Sequence, residues 1–142
     1  MALQEADRLV IFGITGDLAK KMTLPSLYRL ERRGMLNVPV ITVAFDNWTH
    51  EQLINHARES IETVEGKIDE TVFTRLAERL SYVHGDFNDP KLYGKLKKAL
   101  KGSHAATFYL EVPPSLFVIV AQHLYNADLL HGDARVVFEK PF

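Results

Sequence analysis

Two glycines that follow an apolar run could hold a phosphate group without any basic side chain. The run Leu9 to Phe12 predicts a buried strand, and Gly13 and Gly16 come directly after it. Glycine permits a tight turn and a close approach of backbone to a ligand. A helix that begins at such a turn presents unpaired N–H groups to an anion, and dinucleotide pyrophosphates are bound in this way. The same spacing also occurs at ordinary strand-to-helix turns, since it is not the full G-x-G-x-x-G pattern.

The polar residues of this turn have more than one interpretation. Thr15 could cap the helix or contact a phosphate through its hydroxyl. Asp17 suits the positive end of a helix dipole, but its charge would repel a pyrophosphate, so we interpret it first as a helix-terminus residue. Neither a G-x-x-x-x-G-K-[ST] loop nor a G-x-S-x-G elbow is present. The predicted phosphate-binding turn comprises Gly13, Ile14, Thr15, Gly16, Asp17 and Leu18.

Asp46 follows the second predicted strand, Val40 to Phe45, where a dinucleotide fold places the residue that reads the adenosine ribose. A carboxylate there can accept hydrogen bonds from both ribose hydroxyls of NAD, whereas the 2′-phosphate of NADP would meet a like charge. Asp46 therefore favours NAD. In the alternative interpretation Asp46 only caps a turn, and the phosphate is contacted by Lys20, Lys21 or Arg75.

Short β-rich runs alternate with helix-like segments along the chain, which predicts an α/β fold. We expect a Rossmann-like, doubly wound, mostly parallel five-stranded sheet with helices on both faces, formed as a single domain by residues 1–142. The predicted strands are 9–12, 40–45, 82–84, 107–112 and 134–138. The predicted helices are 17–33, 49–66, 69–80, one that opens at 89–90, and 115–126.

Several residues predict where these helices begin, bend or pack. Thr49 and Gln52 have capping-box spacing, Asp89 and Pro90 suit a helix start, and Pro25 should bend or interrupt the first helix. Helical spacing predicts two sets of core side chains. They are Val72, Phe73, Leu76 and Leu80 in one helix, and Leu116, Val118, Ile119, Val120 and Leu124 in the other.

Composition argues against several classes of function. Seventeen basic and eighteen acidic residues leave no excess charge that would attract nucleic acid or an anionic membrane. The cluster Lys95 to Lys101 is interpreted as a solvated helix face. There is no cysteine for a disulfide, no apolar run long enough to span a bilayer and no secretion signal, so we expect a cytoplasmic protein. The six histidines lack the spacing of metal ligands, so no metal site is predicted.

Three ordered motifs resemble one family. Gly13-Ile-Thr-Gly-Asp-Leu-Ala-Lys20 with Leu24-Pro-Ser-Leu-Tyr28 resembles the amino-terminal coenzyme domain of glucose-6-phosphate dehydrogenases. Tyr109-Leu-Glu-Val-Pro-Pro114 is similar to that family's strand ending in Pro-Pro. Val136-Val-Phe-Glu-Lys-Pro-Phe142 is similar to its strand ending in Glu-Lys-Pro-Phe. The motifs span nearly the whole chain.

The resemblance implies the coenzyme-binding portion of an enzyme that oxidises glucose 6-phosphate to the lactone and passes a hydride to NAD or NADP. It implies that Val112, Pro113 and Pro114 lie beside the coenzyme, although the prolines could instead only start a helix. It also implies that Lys140 contacts coenzyme and sugar phosphate, with a solvated lysine as the alternative. The family's catalytic histidine lies beyond this domain. We therefore assign no catalytic residue in this chain and expect it to bind without catalysing.

Three positions depart from the family pattern. The family typically has arginine at the position aligned with Asp46, and often a basic residue where this chain has Met22. Both departures favour NAD preference or dual use over the family's usual NADP. At Glu111 the family more often has a small or apolar residue. A carboxylate there needs a partner, and the sequence assigns it no role.

The resemblance also implies a homo-oligomeric parent enzyme that acts on a small sugar phosphate, with no nucleic-acid or membrane partner. The position of Phe142, directly after the Lys140 motif, favours a portion of a longer protein. The alternative is a free-standing, non-catalytic NAD(P)-binding module that senses coenzyme or regulates a partner.

Overall fold

A five-stranded parallel sheet forms the centre of the computed structural model, which describes residues 6–138. The strands cross the sheet in the order β3-β2-β1-β4-β5, and every neighbouring pair is parallel. The sheet confirms the predicted five strands and α/β class. The strands are β1 (Arg8–Phe12), β2 (Val40–Ala44), β3 (Leu80–His84), β4 (Ala106–Leu110) and β5 (Arg135–Phe138).

Helices cover both faces of the sheet, as predicted. Three of them contribute to one buried cluster together with Leu9 and Ile11 of β1, and two contribute to a second cluster with Val10 and Phe12. Because β1 is covered on both sides, it is a continuous apolar run rather than an alternating one. The first three helices are α1 (Leu24–Arg32), α2 (His50–Glu65) and α3 (Glu70–Arg79); the other two are α4 (Pro90–Ala99) and α5 (Phe117–Asn126).

The helix after β1 changes geometry before Pro25, as the sequence predicted. It is helical from Asp17, but Ala19–Thr23 form a π-helical turn in which the Leu24 N–H donates to the Ala19 carbonyl. Proline has no N–H and its ring crowds the carbonyl four residues earlier. The π turn inserts one extra residue at this point, so that α1 resumes regular geometry with Pro25 in its first turn.

Most predicted helix ends are confirmed. Thr49 and Gln52 form the reciprocal capping box of α2, which ends before Gly66. The Asp89 side chain caps α4, and Pro90 is its first residue. Asp69 is the cap of α3 rather than part of it.

Two strand boundaries differ from the prediction by two residues, and the others by at most one. β3 begins at Leu80, two residues earlier, because that residue pairs with Val40 of β2. β4 ends at Leu110 rather than Val112, since the chain turns towards the two prolines. Before α5, Pro114–Leu116 form a 3₁₀ turn, so the helix predicted from Ser115 begins at Phe117.

The predicted core of α5 is partly wrong. Val120 and Leu124 are buried, but Val118 is 76% exposed, and Leu116 and Ile119 are half-buried. Only one narrow stripe of this helix packs against the sheet, which leaves its opposite side in solvent. In α3, by contrast, Val72, Phe73 and Leu76 are buried as predicted, together with Leu80 at the start of β3.

Candidate functional site

The order of the strands reverses between β1 and β4. From β1 the chain builds outward through β2 and β3, and it then returns to add β4 and β5 on the other side. In open parallel sheets the ligand crevice lies at such a reversal, beyond the carboxyl ends of the strands. Gly13, Asp46 and Glu111 all follow the carboxyl ends of strands here, as predicted.

Gly13 lies where the first turn touches the end of β4. Its φ is +91°, and a Cβ at this position would be 2.1 Å from the Glu111 carbonyl oxygen. The Gly13 N–H donates to the Val43 carbonyl at 2.8 Å, and the Glu111 N–H donates to Phe12 at 2.9 Å. These two hydrogen bonds continue the β1–β2 and β1–β4 pairings beyond the end of β1, so the turn is held between β2 and β4. Close backbone packing therefore requires glycine at this position.

The rest of the turn leads directly into the helix. The Gly16 N–H donates to the Gly13 carbonyl at 3.0 Å, and the Lys20 N–H donates to Gly16 at 3.1 Å. Ile14 is fully buried and anchors the turn, whereas Thr15 is half-buried and Asp17 and Leu18 are exposed. Because the first N–H groups of a helix have no intrahelical acceptor, this end can bind an anion.

The Asp46 carboxylate lies beside this turn. The Thr15 hydroxyl donates to Asp46 Oδ1 at 2.7 Å, although the two residues are 31 positions apart. On the backbone side, the Trp48 N–H donates to the Asp46 carbonyl at 2.9 Å and the Tyr82 hydroxyl donates to the same oxygen. The hydrogen bond that the Asp46 side chain accepts within residues 6–138 thus comes from the glycine turn rather than from its own loop.

An aromatic cluster that the sequence did not predict lies beside the Asp46 backbone. The Trp48 ring stacks on Tyr82, with centroids 6.2 Å apart, and lies 4.9 Å from the His56 ring. Burial, together with the charge of Asp46, raises the pKa of Tyr82 to about 12, so the phenol remains a donor at neutral pH. The cluster joins α2 to β3, and only the β2–β3 pairing could have indicated it.

His56, a member of this aromatic cluster, is close enough to Lys20 to be affected by its charge. Burial and the charge of Lys20 lower the pKa of His56, so its ring is neutral at pH 7. Lys20, Lys21 and Met22 are exposed on the π turn.

Arg75 does not belong to the site. Its guanidinium pairs with Glu31 at 3.7 Å, near the carboxyl end of α1. Glu31 lies about 20 Å along the helix from Asp17, at a rise of about 1.5 Å per residue. Of the three cations considered for a 2′-phosphate, Lys20 and Lys21 are thus the ones near the turn.

The segment after β4 passes directly beside the glycine turn. Val112 Cγ1 would be 3.3 Å from a Cβ on Gly13. Pro113 has an extended backbone and Pro114 opens the 3₁₀ turn, so the prolines both redirect the chain and start a helix. The Thr23 hydroxyl donates to the Glu111 carboxylate, which supplies the partner that this carboxylate needs.

Lys140 lies outside the described residues. Within residues 6–138 no three histidine or acidic side chains are arranged to hold a metal ion, and no helix is long and apolar enough to cross a membrane. Lys95, Lys97 and Lys98 form an exposed face of α4, as predicted.

The hydrogen-bonding groups of the site, N–H donors and a carboxylate acceptor, fit a dinucleotide. A helix start, whose first N–H groups lack intrahelical acceptors, lies at the switch point, and a carboxylate that can accept hydrogen bonds from ribose hydroxyls is held next to it. Both lie at the strand ends where this fold binds ligands, which supports the fit of the residues to the coenzyme.

Known proteins resemble the chain over nearly its whole length. Glucose-6-phosphate 1-dehydrogenase 1 of Mycobacterium tuberculosis is 52% identical over 137 residues, which cover 96% of this chain and 29% of that protein. The Dickeya dadantii glucose-6-phosphate 1-dehydrogenase is 36% identical over 141 residues, with the same coverages. The chain thus spans about 29% of the length of these relatives.

Solved structures agree with this similarity. The crystal structure of glucose-6-phosphate 1-dehydrogenase from Mycobacterium avium matches 96% of this chain and 30% of its own, with a TM-score of 0.92 and 52% identity. A glucose-6-phosphate dehydrogenase in complex with glucose 6-phosphate matches with a TM-score of 0.81 and 31% identity, over 96% and 31% of the two chains. A sequence model described as the NAD binding domain of glucose-6-phosphate dehydrogenase matches residues 10–142. The chain therefore belongs to the family of glucose-6-phosphate dehydrogenase NAD-binding domains.

Proposed function

We propose that this chain binds NAD in preference to NADP, with the glycine turn at the pyrophosphate and Asp46 at the adenosine ribose. The observation that carries the proposal is the position of the Asp46 carboxylate, 2.7 Å from Thr15 Oγ1 in the turn. A ribose with two free hydroxyls can donate to this carboxylate. Val112, Pro113 and Pro114 flank the coenzyme on the β4 side.

Electrostatic repulsion also favours NAD over NADP. A 2′-phosphate beside Asp46 would place like charges together, which costs about 3 kcal/mol and lowers affinity on the order of a hundredfold. Arg75 is engaged with Glu31, and Met22 carries no charge. Lys20 and Lys21 are the cations that would favour NADP, and dual use follows if either reaches the 2′-phosphate.

The activity of the whole protein is also a proposal. The relatives are named as glucose-6-phosphate 1-dehydrogenases, and a related structure contains glucose 6-phosphate. We infer that this protein oxidises glucose 6-phosphate to the lactone, with the bound coenzyme accepting the hydride. Residues 1–142 then act as one binding domain, Lys140 contacts coenzyme and sugar phosphate, and the catalytic base lies outside this domain. We place the enzyme in the cytoplasm as a homo-oligomer.

Calorimetric titration of the 142-residue chain with NAD and with NADP tests the coenzyme proposal. Wild type should bind NAD more tightly, and Asp46→Arg should shift the preference towards NADP by at least tenfold. Glu62→Arg is the charge-matched control, because this exposed residue lies about 18 Å along α2 from its first residue. Lys140→Ala, titrated in parallel, should weaken coenzyme binding.

Each outcome decides part of the proposal. Tighter binding of NADP by wild type would overturn the NAD preference and indicate that a cation such as Lys20 reads the phosphate. Binding of neither coenzyme would overturn the assignment of the site in this chain. A protein expressed from the whole gene that turns over glucose 6-phosphate with neither coenzyme would refute the enzymatic proposal and favour the non-catalytic binding module.

A further inference from the structure

The carboxylate of Asp46 is held by a residue of the glycine turn rather than by its own loop. Asp46 is exposed and lies two residues beyond the end of β2, a position where an aspartate side chain can adopt several rotamers. Thr15 Oγ1 donates to Oδ1 at 2.7 Å and selects one of them. The orientation of the carboxylate is therefore set by a different element of the fold.

We propose that Thr15 is a positioning residue that orients Asp46 and thereby sets the coenzyme selectivity of the site. The inference rests on the proposed function, because it assumes that Asp46 reads the ribose. It assigns to the Thr15 hydroxyl a role through another side chain instead of the phosphate contact or helix cap that the sequence suggested.

The hydrogen-bond inventory is consistent with this role. An ionised carboxylate has about four acceptor sites, so one bond from Thr15 leaves Oδ2 and part of Oδ1 available to ribose hydroxyls. The hydroxyl hydrogen of Thr15 is already donated to Asp46. The bond also fixes the spacing between the phosphate-binding turn and the ribose reader, which reduces the ordering needed when a coenzyme binds.

The backbone of Asp46 is restrained separately. Its carbonyl accepts hydrogen bonds from the Trp48 N–H and the Tyr82 hydroxyl, so the Cα position does not depend on Thr15. What remains free is the side-chain torsion. Among residues 6–138, Thr15 is the hydrogen-bond donor to the carboxylate itself.

Thr15→Val tests the proposal, because valine keeps the branched shape and removes the hydroxyl. We expect calorimetry to show NAD binding weakened about three- to tenfold, the effect of one lost hydrogen bond. NADP affinity should change less than twofold. Thr15→Ser retains the hydroxyl and should restore the wild-type preference, and thermal unfolding of each variant verifies that it is folded.

A double-mutant cycle with Asp46→Ala separates positioning from direct contact. If Thr15 acts through Asp46, Thr15→Val should have no further effect on NAD affinity in the Asp46→Ala background. Equal weakening of NAD and NADP, or effects that add in the double variant, would overturn the positioning role and assign the hydroxyl to a phosphate. A wild-type preference for NADP, or no binding, would instead count against the proposed function, so the two failures are distinguishable.

Discussion

Gly13 is a position where the structure leaves room for no side chain. A Cβ would lie 2.1 Å from the Glu111 carbonyl oxygen, and the φ of +91° is itself unfavourable for an L-residue. We expect Gly13→Ala to lower the free energy of unfolding by at least about 3 kcal/mol, because backbone strain and a steric clash act together. Urea unfolding followed by circular dichroism measures this loss.

Gly34→Ala is the matched control for that substitution. Gly34 also has a positive φ, of +68°, but nothing lies within 4 Å of its Cβ position. Gly34→Ala should lower the free energy of unfolding by about 1–2 kcal/mol, which is the cost of the backbone conformation alone. Equal losses at the two positions would show that the contact with Glu111 contributes nothing.

The individual site residues were predictable to different degrees. The positions of the glycines and of Asp46 after strand ends were predicted correctly, because strand ends and turn residues are local signals. Neither the donor to Asp46 nor the aromatic cluster of Trp48, Tyr82 and His56 was found. These contacts join separate elements, and their residues come together only when β2 pairs with β3 and the turn packs beside them.

At the scale of an element, the capping box of α2 is a strictly local device. Thr49 and Gln52 satisfy each other's backbone N–H groups at 2.8 and 3.1 Å. Thr49→Ala should lower the free energy of unfolding by about 1 kcal/mol. Thr63→Ala is the control on the same helix, because its exposed hydroxyl donates to the Glu59 carbonyl and caps no helix end. A loss within 0.5 kcal/mol of the control's would contradict the capping role.

The helix after β1 shows how far a local signal extends. Pro25 predicted an interruption, and the structure places a π turn directly before it. The type of interruption was not predictable, because it also involves the hydrogen bond from Thr23 to Glu111 at the end of β4. A contact across 88 residues is invisible to any local pattern.

At the scale of the whole molecule, Asp7 ties the start of β1 to the segment before β4. Its carboxylate accepts hydrogen bonds from Ser103 Oγ, His104 N–H and Ala105 N–H, at 2.6, 2.6 and 3.1 Å. Burial alone would raise the pKa of Asp7, but these hydrogen bonds outweigh it and hold the pKa below its ordinary 3.8.

A lowered carboxyl pKa makes stability depend on pH in a defined direction. The unfolded chain binds a proton on Asp7 more readily than the native one, so the contribution is complete above about pH 4 and is lost as pH falls through the native pKa. Asp7→Asn should lower the free energy of unfolding by about 1–2 kcal/mol at pH 7, and by much less near pH 2.

Denaturant unfolding at a series of pH values measures this difference. The exposed Asp133 provides the control, since Asp133→Asn makes the same change in charge without removing these three hydrogen bonds. A difference between wild type and Asp7→Asn that stays constant from pH 7 to pH 2 would contradict the ionic role of Asp7.

The sequence by itself determined the α/β class, the five strands, most helix ends, the glycine turn and the position of Asp46, because these depend on residues near one another in the chain. Tertiary structure alone decided which contacts complete the site. It brought Thr15 to Asp46, engaged Arg75 with Glu31 and left Val118 in solvent. Each of these depends on how elements distant in sequence pack, and packing is a property of the assembled sheet rather than of any local pattern.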